Sequence, residues 1–228
     1  MPDALTRTAV DCPPCTVAEL MMAWGIGWAV SRGTPAPVGI PGGFRVDVGL
    51  PGHRVRHVLH TYDAESLGRL GRELTAPGTW IKASGDRAGL RAALPDVWTL
   101  DRAGHLMSAP LAPGAVEPPA PYAMRVVVEG GVVVATVLDG SRRRAASGRL
   151  GGAGEFGIVD QVETEPAHRR RGLGSVVVRA LGDHAARRGM RTGALVATDD
   201  GRALYEALGW TVRSEVSGAY LREEPGPS

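Results

Sequence analysis

The chain has 228 residues, of which 43% are hydrophobic, and its formal net charge is +2 at pH 7. This length fits one large or two small domains, and the apolar fraction is sufficient for a buried core. The small net charge, and the lack of aromatic residues within the arginine runs at 142–144 and 169–171, argue against a nucleic-acid partner.

Two features near the N-terminus give no support for a metal site or a membrane segment. Cys12 and Cys15 form a lone C-x-x-C without a second pair, so we expect no metal and no redox function. The apolar run from Leu20 to Val30 is about half as long as a membrane span. No secretory signal precedes this run, which predicts a cytoplasmic protein with no membrane partner.

The first half of the chain has the pattern of a small α/β unit. Thr16 and Glu19 form a capping box before an apolar stripe that includes Trp24 and Trp28, which predicts a helix. Alternating residues and a Pro-Gly turn predict two strands after it. The further elements expected are a helix at 64–74, a strand over TWIKAS, a helix through 90–94 and two strands from Trp98 onward.

Five prolines between Ala109 and Tyr122 divide the chain near its middle. Proline cannot donate to a strand ladder or continue a helix, so this segment predicts an extended linker. We therefore expect an N-terminal α/β domain over residues 1–108, a proline-rich linker over 109–122 and a second domain over 123–228.

The second half again alternates strands and helices. The letters MRVVVEGGVVVATVLDG predict a hairpin, and SRRRAASGRLGGAGE is interpreted as a loop. A strand over Phe156–Thr164 is followed by an amphipathic helix that begins near Leu173 and ends at Gly189. The last expected elements are a strand over ALVAT, a helix capped by Asp199 or Asp200, and a closing strand over WTVRSEV.

The ends of the two halves resemble each other. GDRAGLRAALPDVWTLDRAGHLM and DDGRALYEALGWTVRSEVSGAYL share their leucine spacing and a Trp-Thr-aliphatic strand start. A tandem repeat of one α/β unit is therefore one interpretation. The first copy has no arginine-glycine stretch like that of the second, so we expect a ligand site of this kind only in the second half.

Residues 165–175, EPAHRRRGLGS, join a predicted strand to a predicted helix. Backbone N–H groups at a helix N-terminus attract anions, and glycines let that backbone approach phosphate oxygens closely. The spacing fits neither the dinucleotide nor the nucleoside-triphosphate motif. The stretch predicts a pyrophosphate site that consists of Arg169, Arg170, Arg171, Gly172, Leu173, Gly174 and Ser175.

The letters RRRGLG match R-x-x-G-x-G, the pyrophosphate signature of the GNAT superfamily of N-acetyltransferases. The sequence resembles that family over about residues 123–217, and LYEALGW resembles its second conserved block. The resemblance implies an α/β (α+β) fold with a mixed, mostly antiparallel sheet flanked by helices, and acetyl-CoA as co-substrate. Two tandem GNAT-like halves are an open alternative.

The same resemblance implies roles for single residues. The strand that carries Val162 and Thr164 would splay from its neighbour at 194–197, so that pantetheine pairs with the exposed backbone. Tyr205 would lie near the sulfur and protonate the departing thiolate. The family's first strand and two opening helices are missing directly before Met124, so the N-terminal half or a partner chain must supply the walls of the acceptor pocket.

Attack of an amine on a thioester requires a base or a water path for the proton. Asp160 and Glu163 are the nearest carboxylates, and strand alternation predicts that they lie on opposite faces. Asp160 is then expected to share a face with Val162 and Thr164 and is slightly favoured as the base, while Glu163 stays open.

The sequence thus favours an acetyl-CoA-dependent N-acetyltransferase that acts on a primary amine of a small molecule or peptide. A non-catalytic acyl-CoA-binding regulatory module is the alternative. The acceptor and the preferred acyl chain are not specified by any motif, and a homodimer is left open.

Overall fold

In the computed structural model, residues 15–224 are described, and they form an α/β structure around one large sheet. The helices are α1 (Val17–Arg32), α2 (Ala64–Glu73), α3 (Arg87–Ala93), α4 (Leu173–Arg187) and α5 (Asp199–Ala207). The strands are β1 (Val38–Ile40), β2 (Gly43–Leu50), β3 (His53–Leu59), β4 (Thr79–Ser84), β5 (Thr99–Leu100), β6 (Gly104–Pro110), β7 (Ala123–Glu129), β8 (Val132–Leu138), β9 (Arg144–Ala153), β10 (Phe156–Thr164), β11 (Thr192–Ala197) and β12 (Thr211–Tyr220). None of the described helices is long and apolar enough to cross a bilayer. Cys12 of the C-x-x-C lies outside the described residues.

A continuous sheet runs through both halves of the sequence in the order β1-β2-β3-β4-β12-β6-β11-β10-β9-β8-β7, and β5 pairs with β12. The pairs β3 with β4 and β10 with β11 are parallel, and the other pairs of this described sheet are antiparallel. The predicted mixed, mostly antiparallel fold class is therefore confirmed.

The two halves exchange their last long strands. β6, at the end of the first half, lies between β11 and β12, while β12, at the end of the second half, lies between β4 and β6. Each half also contains a strand, a crossover helix and a parallel strand, namely β3-α2-β4 and β10-α4-β11. One such unit thus occurs in each half, and the last long strand of each half pairs with strands of the other half.

The two faces of the sheet are covered differently, as two adjacent residues of β6 show. Leu106 packs in a cluster with the apolar residues of α1, and Met107 packs in a second cluster with those of α4. Ile81 of β4 packs with α2 and α3, and the register through β12 places it on the same side as Met107. We call the two sides the α1 face and the α4 face.

Helix α1 approaches the sheet closely because glycines stand at its contact points. Thr16 and Glu19 form the predicted capping box at its start. A Cβ on Gly151 of β9 would collide with the backbone of Gly27, and a Cβ on Gly25 would collide with the Phe44 ring. The N-terminal half therefore supplies a helix that packs directly on β9 and β10 of the second half.

Two predictions of local structure were wrong. The stretch interpreted as a loop contains β9. This strand is buried on both faces and consists largely of small residues such as Ala146 and Gly151, so its sequence lacks the alternating apolar pattern from which a strand is predicted. Helix α5 is capped by Thr198, whose side chain accepts a hydrogen bond from Gly201 N, and not by Asp199 or Asp200. The other predicted elements are present, and β1 has no predicted counterpart.

Candidate functional site

Strands β10 and β11 separate toward their C-terminal ends. Their parallel ladder joins residues 156–158 to 192–194 and ends at the pair Ile158 and Ala194. β10 continues to Thr164 along β9, and β11 continues to Ala197 along β6. The facing edges of the two strands therefore leave a gap in which backbone donors and acceptors are available to an added chain.

A β-bulge lies in β10 where the gap opens. Asp160 pairs with Arg149 and Glu163 pairs with Ser147, so β10 has one residue more than β9 across this interval. Gln161 within the bulge has a φ of 51°, in the left-handed region. Residues opposite each other in an antiparallel ladder share a face, which places Asp160 and Glu163 on the same face, the α1 face.

The prediction that Asp160 and Glu163 lie on opposite faces was wrong, because strict alternation fails at a bulge. Thr164 pairs with Ala146, which belongs to the cluster of the α4 face, and Val162 packs against that same cluster. Asp160 therefore does not share a face with Val162 and Thr164.

A cleft of about 1000 Å³ lies beside the gap, at the start of α4. Of the predicted cofactor-binding residues, all except Arg171 line it. The cleft is lined by Arg144, Val162, Glu163, Thr164, Glu165, Pro166, Arg169, Arg170, Gly172, Leu173, Gly174, Ser175, Asp200, Ala203 and Leu204.

The N-terminus of α4 is open toward this cleft. Its N-cap is Gly172, with a φ of 74° and no side-chain hydrogen bond to the first turn. Arg170 also has a positive φ, of 60°. In the crossover helix of the first half, by contrast, the Asp63 carboxylate accepts from Ser66 N at 2.7 Å. α4 thus presents N–H donors to an anion, whereas α2 satisfies its own donor with an acid.

The arginine side chains in and near the motif have different hydrogen-bond partners. Arg169 donates from Nε to the Thr164 carbonyl oxygen at 3.2 Å, within the cleft wall. Arg171 donates from Nη1 to the Tyr122 hydroxyl at 2.8 Å and does not line the cleft. Arg144, one of the arginines of the misassigned loop, lines the cleft and forms an ion pair with Glu165 at 2.7 Å.

Tyr205 lies in the core of the α4 face, with 8% of its surface exposed. Its ring contacts Trp210 edge-on, at 5.8 Å between centroids. Burial, and secondarily the negative charge of Asp160, raise the pKa of the Tyr205 hydroxyl, so it stays protonated at neutral pH. Tyr205 does not line the cleft itself, although Ala203 and Leu204 beside it do.

The two carboxylates of the bulge have different surroundings. Asp160 forms an ion pair with Arg32 Nε at 2.6 Å and accepts a hydrogen bond from the Ser31 hydroxyl at 2.7 Å, both from the last turn of α1. Glu163 is exposed and makes no ion pair within residues 15–224. It lines both the large cleft and a smaller pocket of about 200 Å³ that includes Ser147.

Comparison with known proteins gives one family-model match and several similar structures. Residues 138–217 match the family described as FR47-like protein. Both the R-x-x-G-x-G motif and the LYEALGW block lie within the matched residues, which agrees with the resemblance noted in the sequence. No curated protein matches the chain.

Three solved structures share the architecture over most of the chain. A GCN5-related N-acetyltransferase from Kribbella flavida has a TM-score of 0.62 and 15% identity, and the match covers 88% of this chain and 94% of that one. A GCN5-related N-acetyltransferase from Sphaerobacter thermophilus has a TM-score of 0.56, 14% identity, and coverages of 82% and 78%. A GNAT-family protein from Novosphingobium aromaticivorans, named a putative acetyltransferase, has a TM-score of 0.55, 19% identity, and coverages of 89% and 98%.

Proposed function

We propose that this chain, which has the fold of the GCN5-related N-acetyltransferases, transfers an acyl group from coenzyme A to an amine, with acetyl-CoA as the donor. The observation that carries the proposal is the open N-terminus of α4, which faces a cleft of about 1000 Å³ beside two separating strands. A pyrophosphate fits the first-turn donors, and the two amides of pantetheine fit the unpaired strand edges.

The acyl donor supplies an activated thioester, and side chains of the protein are proposed to accept the proton of the amine and to donate a proton to the thiolate. In the transfer, a C–N bond forms, the C–S bond breaks, and the amine loses one proton while the thiolate gains one. Tyr205 holds a proton at its hydroxyl and is proposed to donate it to the sulfur. Because Tyr205 is a core residue, this step requires the thioester to lie deep between β10 and β11.

Glu163 is our preferred acceptor for the proton of the amine, directly or through a water molecule. It follows the bulge, lines the cleft and has no ion pair in the described part of the chain. Asp160 is instead proposed to act as a positioning residue, because Arg32 and Ser31 already engage its carboxylate. Its charge remains close enough to influence Tyr205.

Replacement of Tyr205 by phenylalanine tests whether the chain is an enzyme or only binds acyl-CoA. We expect Tyr205→Phe to bind acetyl-CoA with unchanged affinity and to release thiol about 100-fold more slowly in the presence of an accepted amine, a typical contribution of a general acid. Trp210→Phe is the matched control, since it alters the same aromatic contact without removing a hydroxyl. Equal rates for the parent and Tyr205→Phe would refute the proposed role, and binding without any thiol release would favour a non-catalytic module.

A further inference from the structure

A group of charged and aromatic side chains lies on the α1 face, next to the ion pair of Arg32 with Asp160. The guanidinium groups of Arg32 and Arg56 both lie over the ring of Trp28, at 5.4 Å and 4.4 Å from its centroid. Trp28 is 5% exposed, so it forms a rigid base under both cations. We call Trp28, Arg32, His53, Arg56, Trp80 and Lys82 the Arg56 cluster.

Among the described residues, Arg56 is the cation of this cluster that has no carboxylate partner. Arg32 is paired with Asp160, and Lys82 is paired with Asp101 at 2.8 Å. Arg56 forms no ion pair within residues 15–224, and its Nε donates to His53 Nε2 at 3.1 Å. The cluster with its two acids therefore carries one uncompensated positive charge, located at the terminal nitrogens of Arg56.

His53 is neutral, so it neither adds a second positive charge to the cluster nor competes with Arg56 for an anion. Its Nε2 accepts the hydrogen bond from Arg56, which requires a neutral ring. Burial, followed by the charges of Arg56, Arg32 and Lys82, lowers the pKa of His53 to about 4. A mostly buried guanidinium without a counter-ion is costly, and an oxyanion from a ligand would offset that cost.

Aromatic rings continue the cluster away from Trp28. His53 and Trp80 have ring centroids 4.9 Å apart, and Trp80 stacks on Tyr220 at 4.6 Å with 19° between the planes. These rings are partly exposed. They offer an apolar surface to the body of a molecule whose acidic end contacts Arg56.

The cluster lies across the sheet from the cleft at α4. Asp160 stands on the α1 face where β10 begins to separate from β11, and its charge acts on both Arg56 and Tyr205. The C-terminal part of α1 joins Asp160 to the cluster, since Arg32 pairs with Asp160 and also lies over the Trp28 ring. A molecule held at Arg56 therefore faces the gap from the side opposite the proposed pyrophosphate site.

We propose that the amine acceptor also carries an oxyanion, a carboxylate or a phosphate, and that Arg56 binds this group on the α1 face. That the bound molecule is the acyl acceptor rests on the proposed function. Binding of an oxyanion to Arg56 does not depend on acyl transfer. The chemical class predicted is an amine with an acidic group and an apolar or aromatic body.

Quenching of tryptophan fluorescence tests the oxyanion site without any acyl transfer, because Trp28 lies under the Arg56 guanidinium and Trp80 is the partner of Arg56 in the β3–β4 ladder. The probes are phenylacetate and phenyl phosphate, with the neutral phenylacetamide as the matched comparison. We expect at least one of the two anions to bind about 10-fold more tightly than phenylacetamide, and the stronger of the two identifies the preferred oxyanion. Equal binding of all three probes by the parent would overturn the proposal.

The variant Arg56→Gln should lose this preference, and Arg56→Lys should retain part of it. Arg45→Gln is the control, since Arg45 is a partly exposed arginine of neighbouring β2 that pairs with Asp47. Circular dichroism and acetyl-CoA binding check that each variant is folded, and Arg56→Lys replaces Arg56→Gln in the comparison if the latter fails to fold. Unchanged anion binding in a folded Arg56 variant would contradict the proposal.

A second assay connects the site to the proposed function. Thiol release from acetyl-CoA is compared for matched pairs of amines, each amino acid against its amide. We expect the acids to be preferred about 10-fold by the parent and not by Arg56→Gln. If the anions bind at Arg56 but no amine releases thiol, the oxyanion site stands and the transferase proposal fails. If amides react as well as acids, the transferase stands and the acceptor class is refuted.

Discussion

Gly174, in the first turn of α4, is the position at which one added side chain tests the pyrophosphate site most sharply. A Cβ at this position would lie 3.1 Å from Leu204 Cδ2 and 3.7 Å from Thr164 Oγ1, both in the cleft wall. A glutamate introduced here points into the cleft, and it requires only a small displacement of the flexible Leu204 side chain.

The expected loss of affinity follows from electrostatics. A carboxylate about 4 Å from a phosphate charge is repelled by about 4 kcal/mol at the effective dielectric of a protein surface and by about 1 kcal/mol in bulk water. The cleft is open to solvent, so we expect an intermediate repulsion of about 2–3 kcal/mol. This corresponds to a dissociation constant for acetyl-CoA that is ~30- to 150-fold larger.

Isothermal titration with acetyl-CoA measures this effect, with Arg179→Glu as the control. Arg179 is an exposed residue of the same helix outside the cleft, so a glutamate there alters the charge of α4 without contacting the ligand. We expect Arg179→Glu to bind nearly like the parent. Equal affinity of the parent and a folded Gly174→Glu would refute the placement of the pyrophosphate at α4.

Three further predictions concern stability and pH. Gly172→Ala should lower the free energy of unfolding by about 1–2 kcal/mol through left-handed strain alone, since no atom of residues 15–224 lies within 4 Å of the added Cβ. An unchanged urea midpoint would contradict this prediction. Gly151→Ala should lower the free energy of unfolding by about 3 kcal/mol, because the added Cβ collides with the backbone of Gly27 and displaces α1. A decrease of less than about 1 kcal/mol in urea unfolding would show that α1 packs less closely on β9. The lowered pKa of His53 means that the unfolded chain binds a proton between about pH 6.5 and 4 that the folded chain does not, so stability falls as pH falls through this window. Because His53 is partly exposed, we expect the free energy of unfolding to fall by about 1–2 kcal/mol over this window. The free energy of urea unfolding should depend less on pH in His53→Gln than in the parent.

Local signals in the sequence were sufficient to predict most elements, and the residues of the arginine-glycine stretch lie at the cleft. Glycine positions, caps and periodicity predict α1, α4 and the strands around them, because these features depend on residues close in sequence. Eight of the nine predicted cofactor-binding residues line the cleft for the same reason. Arg171 departs from the pattern because Tyr122, far away in sequence, binds its guanidinium.

Features that depend on distant neighbours could not be predicted. The bulge at Gln161 moves Asp160 and Glu163 to one face, and nothing in the letters VDQVE marks the extra residue. The exchange of β6 and β12 depends on pairing between residues about 100 positions apart. Arg56 lies in an ordinary strand pattern, and its unpaired charge becomes visible only when Trp28 and the neighbouring ion pairs are placed around it.

The stoichiometry of acetyl-CoA binding, measured by isothermal titration of the unmodified chain, tests the central claim most directly. Each half contains a crossover helix between parallel strands, but the N-terminus of α2 is closed by Asp63 and that of α4 is open, so we predict one molecule of acetyl-CoA for each chain. Binding of two molecules would show that the first half also holds a donor site. No binding by the folded protein would mean that the cleft at α4 serves another anion and that the transferase proposal is wrong.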